Sequence, residues 1–390
     1  MQYDCILYKW NCWGTSGHGP TALHRLARIL DEDGEASPPL ESMPENGKPS
    51  RRATRADVAH KAGVSVATVS YVINDGPRPV AKATRDRVLR VIRQLDYRPS
   101  EVARSLRLQK TRTIGLILPD TANPFYAALA KGVEDTGFSH GYGVLLCHSD
   151  YDATREQAYA EVMITKQVDG VIYIQATPDA TTVQRLLERR IPTVAVDREI
   201  PNLEIDCVVA DNFKGSKAAT EHLLKLGHRR VGCIVRASAL SNATERVRGY
   251  QAAMAQAGLA ATPDLLVSGG HGYEAGRKAM AQLLGVDPRP TAVLAYPDTM
   301  AIGAIRAALD VGLRVPEDVS IVGFDDIPAS AFIHPSLTTV SMPKWEMGQR
   351  AAEVLLSRIQ RGDAGRPPQR LVLPTTLIVR ESTAPPATRG

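Results

Sequence analysis

The chain has 390 residues, 44% hydrophobic and 23% charged, with a formal net charge of +5, enough apolar material for a large core divided over two or three domains. No run of about eighteen apolar residues occurs, and the start lacks a basic region followed by an apolar stretch and a small-residue cleavage site, so neither membrane insertion nor secretion is expected. Five scattered cysteines (Cys5, Cys12, Cys147, Cys207, Cys233), without CxxC or a metal-ligand spacing, fit a reducing cytoplasm and inert thiols.

The charge is unevenly spread. Residues 51–111 hold fourteen Lys/Arg against five Asp/Glu, a local +9, so the rest of the chain is net negative. Before that basic block, residues 1–52 carry Trp10, Trp13, the mixed run LHRLARILDEDGE and then the proline-rich, polar SPPLESMPENGKPSRR. They are expected to be a disordered extension or, since Met43 stands close to the basic block, to precede the true start.

Thr54 followed by Asp57 is an N-cap with an acid at N3, and Val58, Ala59 and Ala62 recur at helical spacing. Gly63 is the left-handed stop, and Val64 is placed to pack beneath the turn. Ser65 then caps a second helix from about Val66 to Ile73, with Val69, Val72 and Ile73 inward and Val66, Ala67, Ser70 and Tyr71 outward or flanking. Two short helices joined by a glycine turn predict a helix-turn-helix. Val80 to Leu95 predicts an amphipathic third helix with Val88, Val91, Ile92 and Leu95 on one stripe and a basic exterior. After Tyr97, Arg98 and Pro99, Ser100 caps EVARSLRL, too short to be a stable helix alone.

From Arg112 onward short apolar runs alternate with amphipathic stretches. TIGLILPD, YGVLLCHSD, DGVIYIQA, IPTVAVDRE, CVVADN, RRVGCIVRA, TAVLAYPD and VSIVGFDD read as strands, separated by helices such as PFYAALAKGVEDTGFSHG, one running to Leu226, one near Glu245 to Gly258 and one running to Gly312. This rhythm predicts α/β architecture with parallel sheets covered on both faces, and about 270 residues exceed one comfortable core, so two doubly wound lobes are expected.

No enzyme motif is complete. Gly270, Gly272 and Gly276 fall one residue short of GxGxxG spacing, and no phosphate loop occurs. Cys147, His148, Ser149 and Asp150 are nucleophile types, but neighbours at a strand end cannot face one another as a triad. The nine histidines show no ligand spacing. Neither catalysis nor a cofactor is expected.

The stretch TRADVAHKAGVSVATVSYVIN resembles the DNA-binding motif of the lac repressor/galactose repressor family. The wording of NPFY, DGVIY, LGHRRVG, RVRGY, GLRVPEDVSIVGFDD and PSLTTV resembles the effector domain of the same family, itself similar to periplasmic sugar-binding proteins, with a ligand cleft between two lobes and three crossing segments. The resemblance covers about residues 54 to 383. It implies a reader over 53–99, a hinge helix and linker over 100–111, a two-lobed effector-binding and dimerisation domain over 112–384 and a tail over 385–390.

The resemblance also implies roles for individual residues. The start of the recognition helix reaches base edges, so Val66, Ala67 and Tyr71 are expected to set operator specificity, with Ser70 on the same face. Thr54, Ser65, Thr68 and Asn74 are expected at phosphates. Leu106 occupies the position of the wedge that enters the minor groove when the hinge helix folds on DNA. In the cleft, Asp197, Arg246 and Asp298 match effector-contacting positions, while Phe125 and His271 match aromatic or apolar wall positions. Helix capping is the other reading of Asp298, and a surface ion pair with Glu245 or Asp211 the other reading of Arg246.

This sequence departs from the family pattern at three places: Ala81 where serine usually caps the third helix, Pro297 in place of asparagine before Asp298, and LSNA at 240–243, which leaves open the side chain that faces the ligand. The implied function is a cytoplasmic, nucleoid-associated transcription regulator, a repressor acting as a homodimer on double-stranded operator DNA. A small sugar-like effector controls it, with a purine also compatible and no membrane partner. A periplasmic-type solute-binding protein is the alternative, sharing the lobes but having no use for residues 54–106. A sugar-processing enzyme stands third.

Overall fold

The computed structural model describes residues 53–74, 76, 78–98, 110–236, 240–361 and 366–387, so Leu106, the hinge helix and residues 1–52 lie outside the described residues. Two compact units divide the chain at Arg98 and Pro99.

Among the described residues the first unit contains three helices, α1 (Arg55–Ala62), α2 (Val66–Asn74) and α3 (Lys82–Gln94). At the start of α1 the Thr54 hydroxyl accepts from the Asp57 amide while the Asp57 carboxylate accepts from the Thr54 amide, a reciprocal cap on two otherwise orphaned donors. Gly63 ends the helix at φ 61°, a left-handed conformation that only glycine adopts without strain. Ser65 caps α2 by accepting from the Thr68 amide at 3.1 Å. Val58, Ala59, Ala62, Val69, Val72, Val88 and Val91 form the core. Tyr97, read in the sequence only as an interruption, is a buried member of that core, drawn back by its amide bond to the Ile92 carbonyl. Ala81 leaves the N-terminus of α3 without a side-chain cap.

The second unit has twelve strands among the described residues. In chain order these are β1 (Thr113–Leu118), β2 (Gly143–His148), β3 (Gly170–Tyr173), β4 (Thr193–Val196), β5 (Asp206–Ala210), β6 (Val231–Arg236), β7 (Leu266–Gly269), β8 (Ala292–Ala295), β9 (Ser320–Asp325), β10 (Thr338–Ser341), β11 (Arg370–Leu373) and β12 (Thr376–Ile378). They build two six-stranded sheets, ordered β11-β5-β4-β3-β1-β2 and β12-β10-β9-β8-β6-β7. Every pairing is parallel except β10 with β12. The central strands are runs such as Val-Ile-Tyr and Ala-Val-Leu-Ala, buried along their length because helices cover both faces.

Those helices are α4 (Pro124–Ser139), α5 (Ala153–Thr165), α6 (Thr181–Glu188), α7 (Asn212–Lys225), α8 (Ser241–Gln256), α9 (Gly272–Leu284), α10 (Asp298–Asp310), α11 (Ala329–Phe332) and α12 (Lys344–Arg361). The chain changes lobe three times: between β5 and α7, between β10 and α12, and between β11 and β12. Helix α12 packs on α4 and the first sheet, and a Cβ added at Gly348 would collide with the Leu129 carbonyl, so glycine permits the close approach. Helix α8 begins at Ser241, four residues before the point read from sequence, and carries Arg246 in its second turn.

Candidate functional site

In the first unit, Ser65, Val66, Ala67 and Asn74 are exposed, while Thr54, Thr68, Ser70 and Tyr71 are half-buried. Val66 is 47% exposed at the start of α2. Several of the expected phosphate-contacting hydroxyls already have local partners. Thr54 is engaged with Asp57 at 2.7 Å, Ser65 with Thr68 at 2.9 Å, and the Asn74 amide donates to the Ser70 carbonyl at 2.9 Å. These bonds orient the side chains at the two ends of α2. Each oxygen keeps acceptor capacity, and a hydroxyl can turn to donate to a phosphate.

In the second unit, the carboxyl ends of strands from both sheets meet at a cavity of 280 Å³, where ligands bind in doubly wound folds. The first lobe supplies Asp120 and Asn123 after β1, Phe125 and Tyr126 at the start of α4, Tyr151 after β2, and Asp197 and Arg198 after β4. The second lobe supplies Arg236 at the end of β6, Asn242 and Arg246 on α8, His271 after β7, Tyr296 after β8 and Asp325 at the end of β9. Phe125, Asp197, Arg246 and His271 are thus brought together as expected from sequence.

Asp197, in a left-handed conformation at φ 68° and 2% exposed, anchors a buried network. Its Oδ2 accepts from Asn242 Nδ2 at 3.0 Å across the lobes and lies 3.2 Å from Arg198 Nε. Its Oδ1 is buried and has no partner among the described residues. Arg198 donates to Tyr126 Oη at 2.6 Å and to the Gln175 carbonyl. Burial disfavours its charge, but the Tyr126 hydroxyl and the Asp197 carboxylate more than restore it and hold the guanidinium protonated.

Arg246 donates from Nε to Asn212 Oδ1 at 2.7 Å, lies 3.5 Å from Asp325 Oδ1, and stacks its guanidinium 4.0 Å from the centre of the Phe324 ring. Glu245 and Asp211 pair instead with Arg248 and Lys214, so Arg246 is a buried cleft residue rather than half of a surface pair. Burial pushes the Asp325 carboxyl up to about 8 despite Arg246 beside it.

Across the mouth, Tyr151 of the first lobe and His271 of the second stack face to face, 3.7 Å apart with 7° between planes. Burial, then the charges of Arg236 and Arg198, holds His271 down to about 4, so the ring is neutral at physiological pH and presents a flat apolar face. Phe125 and Tyr126, also on the cavity, meet edge to face at 5.1 Å.

The structure does not bring Asp298 into this cavity. Its Oδ2 accepts from the Ile327 amide at 2.9 Å and Ser330 Oγ at 2.7 Å, and its Oδ1 from Thr339 Oγ1 at 2.5 Å. The residue is fully buried, and desolvation raises its carboxyl above the ordinary range. Nor is it the cap of α10: the N-cap is Pro297, which offers no side-chain bond. Asp298 ties the start of α10 to α11 and β10.

Sequence reading missed Arg198, Arg236, Tyr126, Tyr151 and Asp325, and of the open segment 240–243 the structure places Asn242 and Ala243 on the cavity. A signal existed for three of them, since Arg198, Arg236 and Asp325 are charged residues at or just past the ends of otherwise apolar strands. Among the described residues no group of His, Cys, Asp or Glu is placed to hold a metal ion. No helix among them is long and apolar enough to cross a membrane.

Residues 54–100 match the family described as bacterial regulatory proteins, lacI family, and residues 111–380 match that of periplasmic binding proteins and sugar binding domain of LacI family. The chain belongs to the LacI family. It is 36% identical to the HTH-type transcriptional regulator DegA of Bacillus subtilis (strain 168), over 86% of this chain and 99% of that one. Among solved structures, a transcriptional regulator CelR–cellobiose complex is 34% identical with a TM-score of 0.66, covering 85% of this chain and 100% of that one. The lac repressor dimer bound to operator and the anti-inducer ONPF is 26% identical with a TM-score of 0.76, covering 86% of this chain and 100% of that one. The LacI-family assignment accounts for a helix-turn-helix and a two-lobed cleft in one chain, which a solute-binding protein alone does not require.

Proposed function

We propose that this LacI-family chain is a cytoplasmic repressor that binds operator DNA as a homodimer and changes operator affinity when a small polyhydroxylated molecule occupies the cleft. The observation that carries the ligand half is Asp197: a buried carboxylate with one oxygen unpartnered among the described residues is costly unless a donor arrives. A sugar hydroxyl is such a donor, and the Tyr151–His271 face and the Phe125–Tyr126 wall suit the apolar side of a pyranose or furanose ring. A nucleobase on the same aromatic faces is the second reading.

For the DNA half, residues 53–99 act as the reader and residues 100–111 as a hinge. Val66 and Ala67 make apolar contact with thymine methyl groups, Tyr71 adds a hydroxyl, and Ser70 lies beside them. Thr54, Ser65, Thr68 and Asn74 meet phosphates, and Leu106 enters the minor groove. Because each lobe contributes to the cavity, a ligand there favours one lobe arrangement over another, and it changes DNA binding only to the extent that its affinity differs between the two.

The test is a binding site selected from random DNA, followed by fluorescence anisotropy with and without a panel of sugars and nucleosides. Saturable operator binding that at least one compound shifts about tenfold, lost in Asp197→Ala, supports the reading. Operator binding indifferent to every compound would remove it.

A further inference from the structure

Three guanidinium groups line the cleft, and they are not equivalent. Arg198 has Asp197, Tyr126 and Gln175, and Arg246 has Asp325 and Asn212. Arg236, half-buried at the end of β6, forms no hydrogen bond or ion pair among the described residues; its guanidinium carbon lies 5.2 Å from the centre of the Tyr151 ring. Burial, and then the charge of Arg198, pulls its pKa below the ordinary value.

The charge balance of the cavity points the same way. Of the carboxyls on the cavity, Asp197 lies against Arg198 and Asp325 against Arg246. His271 is neutral. Arg236 is thus left without a carboxylate at ion-pair distance among the described residues, and a neutral ligand would leave it so. The first turn of α9 lines the same cavity through His271, Gly272 and Tyr273, and His271 gives it no side-chain cap, so its amides are available on the same wall.

We propose that the ligand is an anionic, hydroxylated small molecule, a sugar acid or a sugar phosphate, whose acid group is gripped by the Arg236 fork while a hydroxyl donates to Asp197 Oδ1. A guanidinium offers two parallel donors to a carboxylate or phosphate, a geometry that lysine cannot reproduce. This rests on the effector reading above and specifies its ligand class.

The test uses the full chain and matched probes: glucose, glucuronate and glucose 6-phosphate, together with ribose, ribose 5-phosphate and inorganic phosphate, measured by calorimetry and thermal shift. At least one anionic sugar should bind about tenfold tighter than its neutral partner. Arg236→Gln should abolish that preference and Arg236→Lys should restore only part of it, with ligand-free melting temperatures close to wild type as the folding control. Comparison of glucuronate with glucose 6-phosphate separates carboxylate from phosphate, and inorganic phosphate tests whether the acid group suffices. Neutral and anionic partners binding alike, no binding by any anionic sugar, or a preference that persists in Arg236→Gln would each overturn the proposal. If neutral sugars still shift operator affinity, only the anion assignment fails. If no probe of either kind does, the effector reading fails with it.

Discussion

Replacing Asp298 by alanine should unfold the protein more readily rather than blunt its ligand binding directly. The side chain accepts three hydrogen bonds, from the Ile327 amide, Ser330 Oγ and Thr339 Oγ1, and none of these groups has access to bulk water through Asp298, which is fully buried. A buried donor that loses its acceptor costs about 1–3 kcal/mol, and the two hydroxyls can turn partly to other acceptors, so a loss of roughly 3–6 kcal/mol is expected. In a domain of this size each kcal/mol moves the midpoint by about 2–4 °C, which gives a fall of roughly 6–24 °C. Asp298→Asn keeps an acceptor of the same shape and should lie between. Urea titration followed by tyrosine and tryptophan fluorescence reads the loss directly. An Asp298→Ala variant with an unchanged urea midpoint but lost ligand affinity would refute the placement of this side chain outside the cleft.

Asp325 gives a pH signature. Its folded value is pushed up to about 8 by burial, opposed by Arg246 and Lys344 and reinforced by Asp298 and Asp197. The folded state thus holds a proton that the unfolded chain has released above about pH 4, and the stability tied to it is lost as pH rises from 4 through 8. Urea midpoints at pH 5, 7 and 9 should therefore fall more steeply in wild type than in Asp325→Asn; parallel profiles would count against it. His271, held down to about 4, acts oppositely, with stability lost as pH falls from about 6.5 towards 4. Ala81→Ser should add the missing cap of α3 and stabilise the reader by about 1 kcal/mol, seen as a higher melting temperature. Exchanging Val66, Ala67 and Tyr71 together should change the sequence recovered from random DNA while leaving ligand affinity intact, and recovery of the wild-type site would exclude them as readers.

The reader's helices and the central strands were legible because their signals are local: the Thr54–Asp57 cap, the Gly63 stop and buried runs such as those of β3 and β8. The edges of the fold were harder. Strands β7, β11 and β12 are short and only partly buried, so they lack the apolar run that announced the others. Within the site, the family resemblance, read position by position, pointed to Asp197 and Arg246, and both side chains line the cavity. The same resemblance misplaced Asp298. Its rotamer is decided by donors on Ile327, Ser330 and Thr339, residues distant in the chain that only folding brings together. Arg236 was overlooked for a related reason: a cation at a strand end is ordinary until its neighbours are known to leave it unpaired.

The most direct test is a single titration: fluorescence anisotropy of the full chain on its selected operator, repeated at saturating concentrations of a ligand found by thermal shift, in wild type and in Asp197→Ala. A ligand that moves operator affinity about tenfold in wild type and leaves Asp197→Ala unmoved, with both proteins binding operator equally in its absence, is the expected result. An operator affinity that the ligand shifts equally in both proteins would contradict the assignment of the Asp197 cleft as the site of control.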